Sequence, residues 1–208
     1  MPELIVLHYT AMPSCAGARD WLCNPASEVS AHYLIDRDGT LIQMVDEPMR
    51  AWHAGAGAWG GQGDVNSRSI GIEMANTGAE PFSEPLMATL ETLLEGLMAR
   101  WSIPAQNVIA HSDMAPGRKI DPGARFDWTR LARQGLVQPT PTPNAAPQPP
   151  DAERFTQALT QIGYPEAALD TRLDAFRLRH APRAIGPLSA TDMGLATALA
   201  SSLPKYPN

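Results

Sequence analysis

The chain has 208 residues, of which 44% are hydrophobic and 18% are charged, a composition typical of a folded globular protein rather than a disordered one. Its formal net charge of −6 argues against a nucleic-acid partner, because no surplus of basic residues is available to neutralise phosphates. We also predict no membrane span, since the sequence contains no run of about 18 apolar residues.

The first predicted strand is buried and ends at a histidine. Residues 4–7 form a continuous apolar run with β-branched members, and His8 follows directly. Residues 108–110 repeat this pattern, and His111 follows them. Ligands collect at the carboxyl ends of strands in sheets flanked by helices, so both imidazoles are candidate metal ligands. On the residues alone, a structural role for these histidines is equally open.

The N-terminal region also bears on the cellular compartment. The first eight residues lack the basic start, long apolar stretch and small-residue cleavage site of a secretory signal, so we expect a cytoplasmic protein. Cys15 and Cys23 are the only cysteines of the chain. Their spacing allows a disulfide, but we expect free thiols in that compartment.

A hairpin is predicted next. Residues 30–35 indicate one strand, residues 36–39 carry the Asp-Gly signal of a tight turn, and residues 40–45 indicate the returning strand. His32 lies just inside the first strand. It is either a hydrogen-bonded histidine near the sheet edge or a residue that lines the floor of a site.

Residues 51–61 are too rich in glycine for a regular element, yet they carry Trp52, His53 and Trp59. Indole faces stack well against sugar rings and peptide planes, and glycines let the backbone approach a ligand closely. This loop is therefore either a ligand-contacting segment or a surface loop held in place by its tryptophans.

Residues 69–76 alternate in the manner of a strand with one apolar face. Ile70, Ile72 and Met74 form that face, and Gly71, Glu73 and Ala75 form the other. Glu73 stands among small residues on its own face. It is either a paired structural acid or a buried carboxyl group with a raised pKa suited to catalysis.

The segment after His111 combines a cation and a carboxylate. Proline and glycine at positions 116, 117, 122 and 123 predict that no regular helix follows His111 directly. If residues 119–121 are extended, Lys119 and Asp121 face the same way and serve one site. The alternative is an exposed Lys–Asp pair that contributes almost nothing.

Helices complete the fold. A long helix is predicted from Ser83, with a leucine and methionine stripe that belongs to the core, and a short one is predicted after Asp127. We assign residues 1–138 to an α/β catalytic domain with a mixed sheet flanked by helices. Six of the twelve residues in 139–150 are proline, which indicates a linker. Residues 151–208 predict a small three-helix domain with six acidic and six basic residues.

The candidate residues together suit a hydrolytic metal site. A hydrolytic zinc site uses three protein ligands, and His8, His111 and Asp121 would supply two imidazoles and one carboxylate. Glu73 would act as the general base toward water, and Lys119 would stabilise the oxyanion. A nucleobase deaminase is excluded, because its His-x-Glu and Cys-x-x-Cys signature is missing.

Five ordered motifs resemble those of the AmpD/AmiD-type zinc N-acetylmuramoyl-L-alanine amidases over roughly residues 4–135. They lie at residues 8–11, 30–39, 51–55, 69–73 and 111–123. The resemblance implies zinc ligation by the same three ligands, and catalysis by Glu73 and Lys119. Phage lysozyme-like amidases of this superfamily have a tyrosine before the equivalent of His32 and often lack the strand carboxylate. Here Ala31 and Glu73 stand at those positions, which strengthens the role of Glu73.

The resemblance implies hydrolysis of the amide between N-acetylmuramic acid, or its anhydro form, and L-alanine in peptidoglycan or muropeptides. The alternative is a non-catalytic peptidoglycan-recognition protein on the same fold. We assign substrate contact to His32, Trp52, His53 and Asn76, and we expect a monomer. The C-terminal helices resemble peptidoglycan-binding modules only loosely. Because two-domain relatives often work in the cell envelope, the envelope or periplasm is the alternative compartment.

Overall fold

The computed structural model describes residues 1–142 and 149–203. Within these residues the strands form one five-stranded sheet in the order β3-β2-β4-β1-β5, in which β2, β4, β1 and β5 are parallel and only β3 is antiparallel. The strands are β1 (Leu4–Tyr9), β2 (Tyr33–Ile35), β3 (Leu41–Gln43), β4 (Ser69–Met74) and β5 (Val108–Ala110). The predicted mixed α/β sheet is confirmed.

Helices cover both faces of this sheet. They are α1 (Cys15–Leu22), α2 (Glu84–Trp101), α3 (His111–Met114), α4 (Trp128–Arg133), α5 (Ala152–Ile162), α6 (Leu169–His180) and α7 (Ala190–Ser202). No helix among the described residues is both long and apolar enough to cross a membrane. Cys15 is buried, Cys23 is exposed, and both are free thiols.

Side-chain alternation along the central strands decides what each face of the sheet carries. Ile5 and Leu7 of β1 pack with Ile70 and Ile72 of β4 in a core covered by α2 and α4.

The opposite face of the sheet carries the candidate site. Leu4, Val6 and His8 point to this face, and so do Gly71 and Glu73. In the parallel register His8 lies beside Glu73, which puts a candidate ligand and a candidate base on one face.

The C-terminal helices pack on the face that carries the candidate site. Leu4, Val6 and Ile109 of the sheet belong to the same buried cluster as Phe155 of α5 and Phe176 of α6. Residues 1–138 and the helices beyond the linker therefore share a core. The exact domain boundary stays a prediction, because residues 143–148 lie outside the described part of the chain.

One predicted feature is wrong. Helix α3 begins at His111 itself, directly after β5, although the proline and glycine content predicted no helix there. The Asp113 carboxylate accepts the Ala110 N–H at 2.9 Å and thereby caps a single helical turn. The turn then ends before Pro116, so the proline limits the length of the helix but does not prevent it.

Candidate metal centre

Three buried side chains from separate segments meet at the carboxyl ends of β1 and β5. The Nδ1 atoms of His8 and His111 are 2.9 Å apart, and each lies 3.0 Å from Oδ2 of Asp121. A backbone hydrogen bond holds His111 and Asp121 close to each other, because the Ser112 N–H donates to the Asp121 carbonyl at 3.0 Å. The structure therefore brings together the three side chains that the sequence predicted as ligands, in a cluster that could hold a metal ion.

The hydrogen bond at the far side of the His111 ring fixes its tautomer. Nε2 lies 2.9 Å from the Ala54 carbonyl oxygen, which can only accept, so Nε2 carries the proton. In the neutral ring Nδ1 then presents a lone pair to Asp121. Histidines that bind a metal through one ring nitrogen usually donate the N–H of the other nitrogen to a carbonyl or carboxylate oxygen in this way.

A chain of buried hydrogen bonds fixes His8 in the same way. The Ser69 hydroxyl donates to the Val65 carbonyl at 2.6 Å, so its oxygen is free to accept from Nε2 of His53 at 3.2 Å. Nδ1 of His53 then accepts from Nε2 of His8 at 3.0 Å. Burial lowers the pKa of His53 well below its ordinary value, which keeps that ring neutral.

The His8 imidazole is also neutral at physiological pH. Burial, followed by the proximity of His111, lowers its pKa to about 4. Its contact with Asp121 is therefore not an ion pair near pH 7. The lone pair of neutral His8 and the Asp121 carboxylate oxygen converge with the His111 ring nitrogen, and such a set of nitrogen and oxygen atoms suits a cation.

Glu73 stands beside this cluster. Its Oε2 atom is buried and forms no hydrogen bond within the described part of the chain. Burial, followed by the negative charge of Asp121, raises the pKa of Glu73 to about 8, while the positive charge of Lys119 opposes the rise. A carboxyl group of this kind can hold or release a proton near neutral pH, as a general acid or base must.

The cluster and Glu73 lie in a cavity of about 540 Å³, a volume suited to a small-molecule ligand. Lys119 and Arg118 line one side of it. Apolar and aromatic side chains of the wall include Met12, Trp21, Leu22, Val29, Trp52 and Ile120. The cavity thus combines a polar, metal-compatible floor with an apolar rim.

Comparison with known proteins is consistent with this arrangement. Residues 1–124 match the family model described as N-acetylmuramoyl-L-alanine amidase, which spans more than half of the chain. The chain belongs to this amidase family.

Two relatives illustrate the similarity. N-acetylmuramoyl-L-alanine amidase AmiD of Escherichia coli K12 is 37% identical over 153 residues, which is 64% of this chain but only 53% of AmiD. The chain thus matches about half the length of that relative. The 1,6-anhydro-N-acetylmuramyl-L-alanine amidase AmpD of Citrobacter freundii is 33% identical over 67% of this chain and 82% of its own length.

Solved structures extend the similarity to the C-terminal helices. The E. coli AmiD complex with anhydro-N-acetylmuramic acid-L-Ala-D-gamma-Glu-L-Lys superposes with a TM-score of 0.87 at 31% identity, covering 96% of this chain and 89% of AmiD. AmpDH3 of Pseudomonas aeruginosa in complex with an anhydromuramic pentapeptide has a TM-score of 0.85 at 28% identity, covering 96% and 91%.

Two of the four residues assigned to substrate contact, His32 and Asn76, are not among those that line the cavity. His32 is buried, accepts the Gly71 N–H at Nδ1 and donates from Nε2 to the Met49 carbonyl. Asn76 accepts the Gly78 N–H and donates to the Glu80 carbonyl. Both side chains therefore hold backbone segments that surround the site.

The other two residues line the cavity but differ in what they can do. Trp52 has 56% of its surface exposed, with the Arg50 guanidinium 4.3 Å from the centroid of its ring. Both ring nitrogens of His53 form hydrogen bonds, one with His8 and one with Ser69, so His53 orients the candidate ligand His8.

Sequence reasoning missed Arg118. Its Nη2 donates to the carbonyls of Ala54 and Ala56, both at 2.5 Å, and thereby holds the loop that accepts the His111 proton. The sequence does show a second positively charged residue next to Lys119, which could have marked Arg118 as a candidate. Its contact with a loop more than sixty residues earlier is apparent only in the folded structure.

Proposed function

We propose that this chain is a zinc-dependent amidase that hydrolyses the bond between N-acetylmuramic acid, or its anhydro form, and L-alanine in peptidoglycan fragments. The observation that carries the proposal is the buried His8–His111–Asp121 triangle with the Glu73 carboxyl beside it in one cavity. The muropeptide complexes of AmiD and AmpDH3 support this class of substrate.

The donor set favours zinc. Two neutral imidazole nitrogens and one carboxylate oxygen suit zinc in a hydrolytic site, whereas magnesium and calcium prefer sets made only of oxygen atoms. The three candidate ligand atoms lie 2.9–3.0 Å from one another, so one zinc ion would be held by His8, His111 and Asp121 together. Bound zinc would supply Lewis acidity, polarising the scissile carbonyl and making water acidic enough to react near neutral pH.

Glu73 moves the proton in the proposed reaction. Its carboxylate accepts a proton from the attacking water, and the resulting acid delivers that proton to the nitrogen of the departing L-alanine. A bound cation would lower the raised pKa of Glu73 and so favour the carboxylate form that accepts this proton. A positioned group of this kind contributes about 10²–10⁴ in rate.

Lys119 and Trp52 have separate proposed roles. The Lys119 ammonium lines the cavity and would stabilise the negative charge that develops on the amide oxygen. The exposed Trp52 indole offers a flat apolar surface for a sugar ring or a peptide plane. A cytoplasmic location and a monomeric state stay predictions.

A product assay tests the proposal. Metal-loaded protein is incubated with an anhydro-muropeptide and with the ordinary muropeptide, and release of the stem peptide is measured. Glu73→Gln should retain the metal but lose about 10²–10⁴ in kcat, because Gln cannot accept the proton. The exposed Glu95→Gln on α2 is the matched control and should match the unaltered protein.

Two results would overturn the proposal. Full activity in a metal-retaining Glu73→Gln variant would remove the proposed proton carrier. Muropeptide binding that survives a chelator, without cleavage after zinc is restored, would point instead to the non-catalytic recognition protein.

A further inference from the structure

A buried polar cluster joins the C-terminal helices to the turn that carries His111. Asp113 is fully buried, and Tyr164 and Arg179 are 2% and 7% exposed. The Tyr164 hydroxyl donates to Oδ1 of Asp113 at 2.7 Å, and Nη1 of Arg179 donates to Oδ2 at 3.0 Å. These two partners follow Asp113 by 51 and 66 residues along the chain.

Asp113 determines how the His111 backbone leaves the sheet. Its Oδ2 atom also accepts the Ala110 N–H, so the same carboxylate caps the one-turn helix α3 in which His111 is the first residue. Such a short helix has little stability of its own. The direction of the turn, and with it the position of the His111 imidazole, therefore depends on what holds Asp113.

Arg179 is itself held in a single position. Its Nη1 donates to the Val108 carbonyl of β5 at 3.3 Å as well as to Asp113, and its guanidinium lies 4.1 Å from the centroid of the Trp128 ring. A guanidinium held by a carbonyl, a carboxylate and an indole is a rigid support. Arg179 of helix α6 thus contacts both the first residue of β5, through the Val108 carbonyl, and Asp113 of α3.

The same C-terminal segment also supports the loop on the other side of His111. The Gly163 carbonyl accepts the Gly60 N–H at 2.9 Å, and the Trp59 ring packs so closely on Gly163 that a Cβ there would lie 2.7 Å from it. This loop includes Ala54, whose carbonyl accepts the His111 Nε2 proton.

We propose that Tyr164 and Arg179 are positioning residues of the metal centre: by holding Asp113 they fix the turn that presents His111 to the ion. The C-terminal helices are thereby part of the scaffold of the site, whatever they contribute to wall binding. This inference rests on the proposed metal site, but it concerns affinity for the ion rather than turnover.

The test is a zinc-affinity titration against a chromophoric chelator, carried out on the full chain. Tyr164→Phe removes only the hydroxyl, and Arg179→Lys keeps the charge but loses the planar guanidinium. Each should weaken zinc binding by about tenfold, the lower end of the effect known for residues that orient metal ligands. Circular dichroism verifies that each variant is folded.

Matched controls separate positioning from general loss of stability. Tyr33→Phe removes an equivalent hydroxyl, which donates to Glu47 at 2.6 Å on the other side of the sheet. Arg177→Lys alters a buried arginine of the same helix, paired with Asp192 rather than with Asp113. Both controls should bind zinc within about twofold of the unaltered protein, since neither touches the ligand turn.

Three results overturn the inference. Zinc affinity could be unchanged in Tyr164→Phe and Arg179→Lys, or it could fall equally in the controls. If Arg179→Lys does not fold, Tyr164→Phe compared with Tyr33→Phe decides alone, and equal affinity in that pair rejects the inference. Failure of the unaltered protein to bind zinc would instead reject the proposed function.

Discussion

Two glutamates of this chain have pKa values displaced in opposite directions, and each displacement has its own physical cause. Burial raises the pKa of Glu73 to about 8. Burial opposes ionisation of Glu47 too, but hydrogen bonds from Arg100, Tyr33 and Trp101 outweigh it and lower the pKa to about 2. The Glu73 carboxyl group of the metal-free protein therefore keeps its proton up to about neutral pH, whereas the Glu47 carboxyl group is charged over the same range.

The displaced values predict opposite dependences of stability on pH. Folded metal-free protein holds the Glu73 proton more tightly than the unfolded chain, where the pKa is near its ordinary value of 4.5. The free energy of unfolding therefore falls as the pH rises from about 4.5 to about 8. Glutamine cannot ionise, so Glu73→Gln removes this fall in the free energy of unfolding. The substitution should stabilise the metal-free protein by about 2–4 kcal/mol at pH 9, measured by urea unfolding.

Glu47→Gln should behave in the reverse sense. Its folded pKa is lowered, so its stabilisation is present above pH 4.5 and disappears as the pH falls toward 2. We expect a loss of about 2–3 kcal/mol at pH 7 that vanishes near pH 2 in the same measurement. Equal pH profiles for the two variants would contradict both assignments.

At the scale of the elements, the position of the candidate ligand His8 depends on the close contact between β4 and the loop of residues 51–61. Gly71 has no side chain, and the His53 ring occupies the space, so that a Cβ at Gly71 would lie 2.3 Å from His53 Cγ. Nδ1 of His53 in turn accepts a hydrogen bond from the Nε2–H group of His8. The absence of a side chain at Gly71 thus allows the His53 ring to lie over the strand, edge-to-face with the His8 ring.

Gly71→Ala should therefore displace His53 and weaken metal binding as well as stability. Overpacking of this kind costs about 1–3 kcal/mol, which thermal unfolding would detect. Gly63→Ala is the matched control, because the nearest atom to a Cβ there is the Gly57 carbonyl oxygen at an ordinary 3.8 Å. If both variants retain the metal affinity of the unaltered protein, His53 does not position His8.

Much of the site could be predicted at this scale because strand alternation is local. The alternation of residues 69–76 predicted which face carries Glu73, and the strand ends at His8 and His111 predicted where ligands gather. Helix α3 could not be predicted, because the carboxylate that caps it is held by Tyr164 and Arg179. The sequence also could not decide between the two interpretations of His32, because its hydrogen bonds to the Gly71 N–H and the Met49 carbonyl join segments that are distant along the chain.

At the scale of the whole molecule, the C-terminal helices complete the core on the site-bearing face. Leu4, Val6 and Ile109 are fully buried in a cluster with side chains from α5, α6 and α7. Composition identified a proline-rich linker but carried no information on whether the helices beyond it dock. That contact is long-range, and only the folded chain contains it.

A chain that ends at residue 138 should therefore lose stability, because one face of its sheet would be exposed to water. Each large apolar side chain removed from burial costs about 1.5–3 kcal/mol, and several are involved. We expect a lower thermal midpoint and binding of a hydrophobic dye, compared with the full chain at equal concentration. An unchanged midpoint would establish residues 1–138 as an independent domain.

The hydrogen-bond chain that runs from His8 through His53 and Ser69 to the Val65 carbonyl also has an entropic consequence. Folding already selects the rotamer and the tautomer of this ligand, and its pKa near 4 leaves it without a proton to give up at neutral pH. Uptake of a cation would then require no ordering of the His8 ring and would release no proton from it. The ordering of the His8 ring takes place during folding, so a substitution that loosens the core would weaken metal binding as well as lower the stability of the fold.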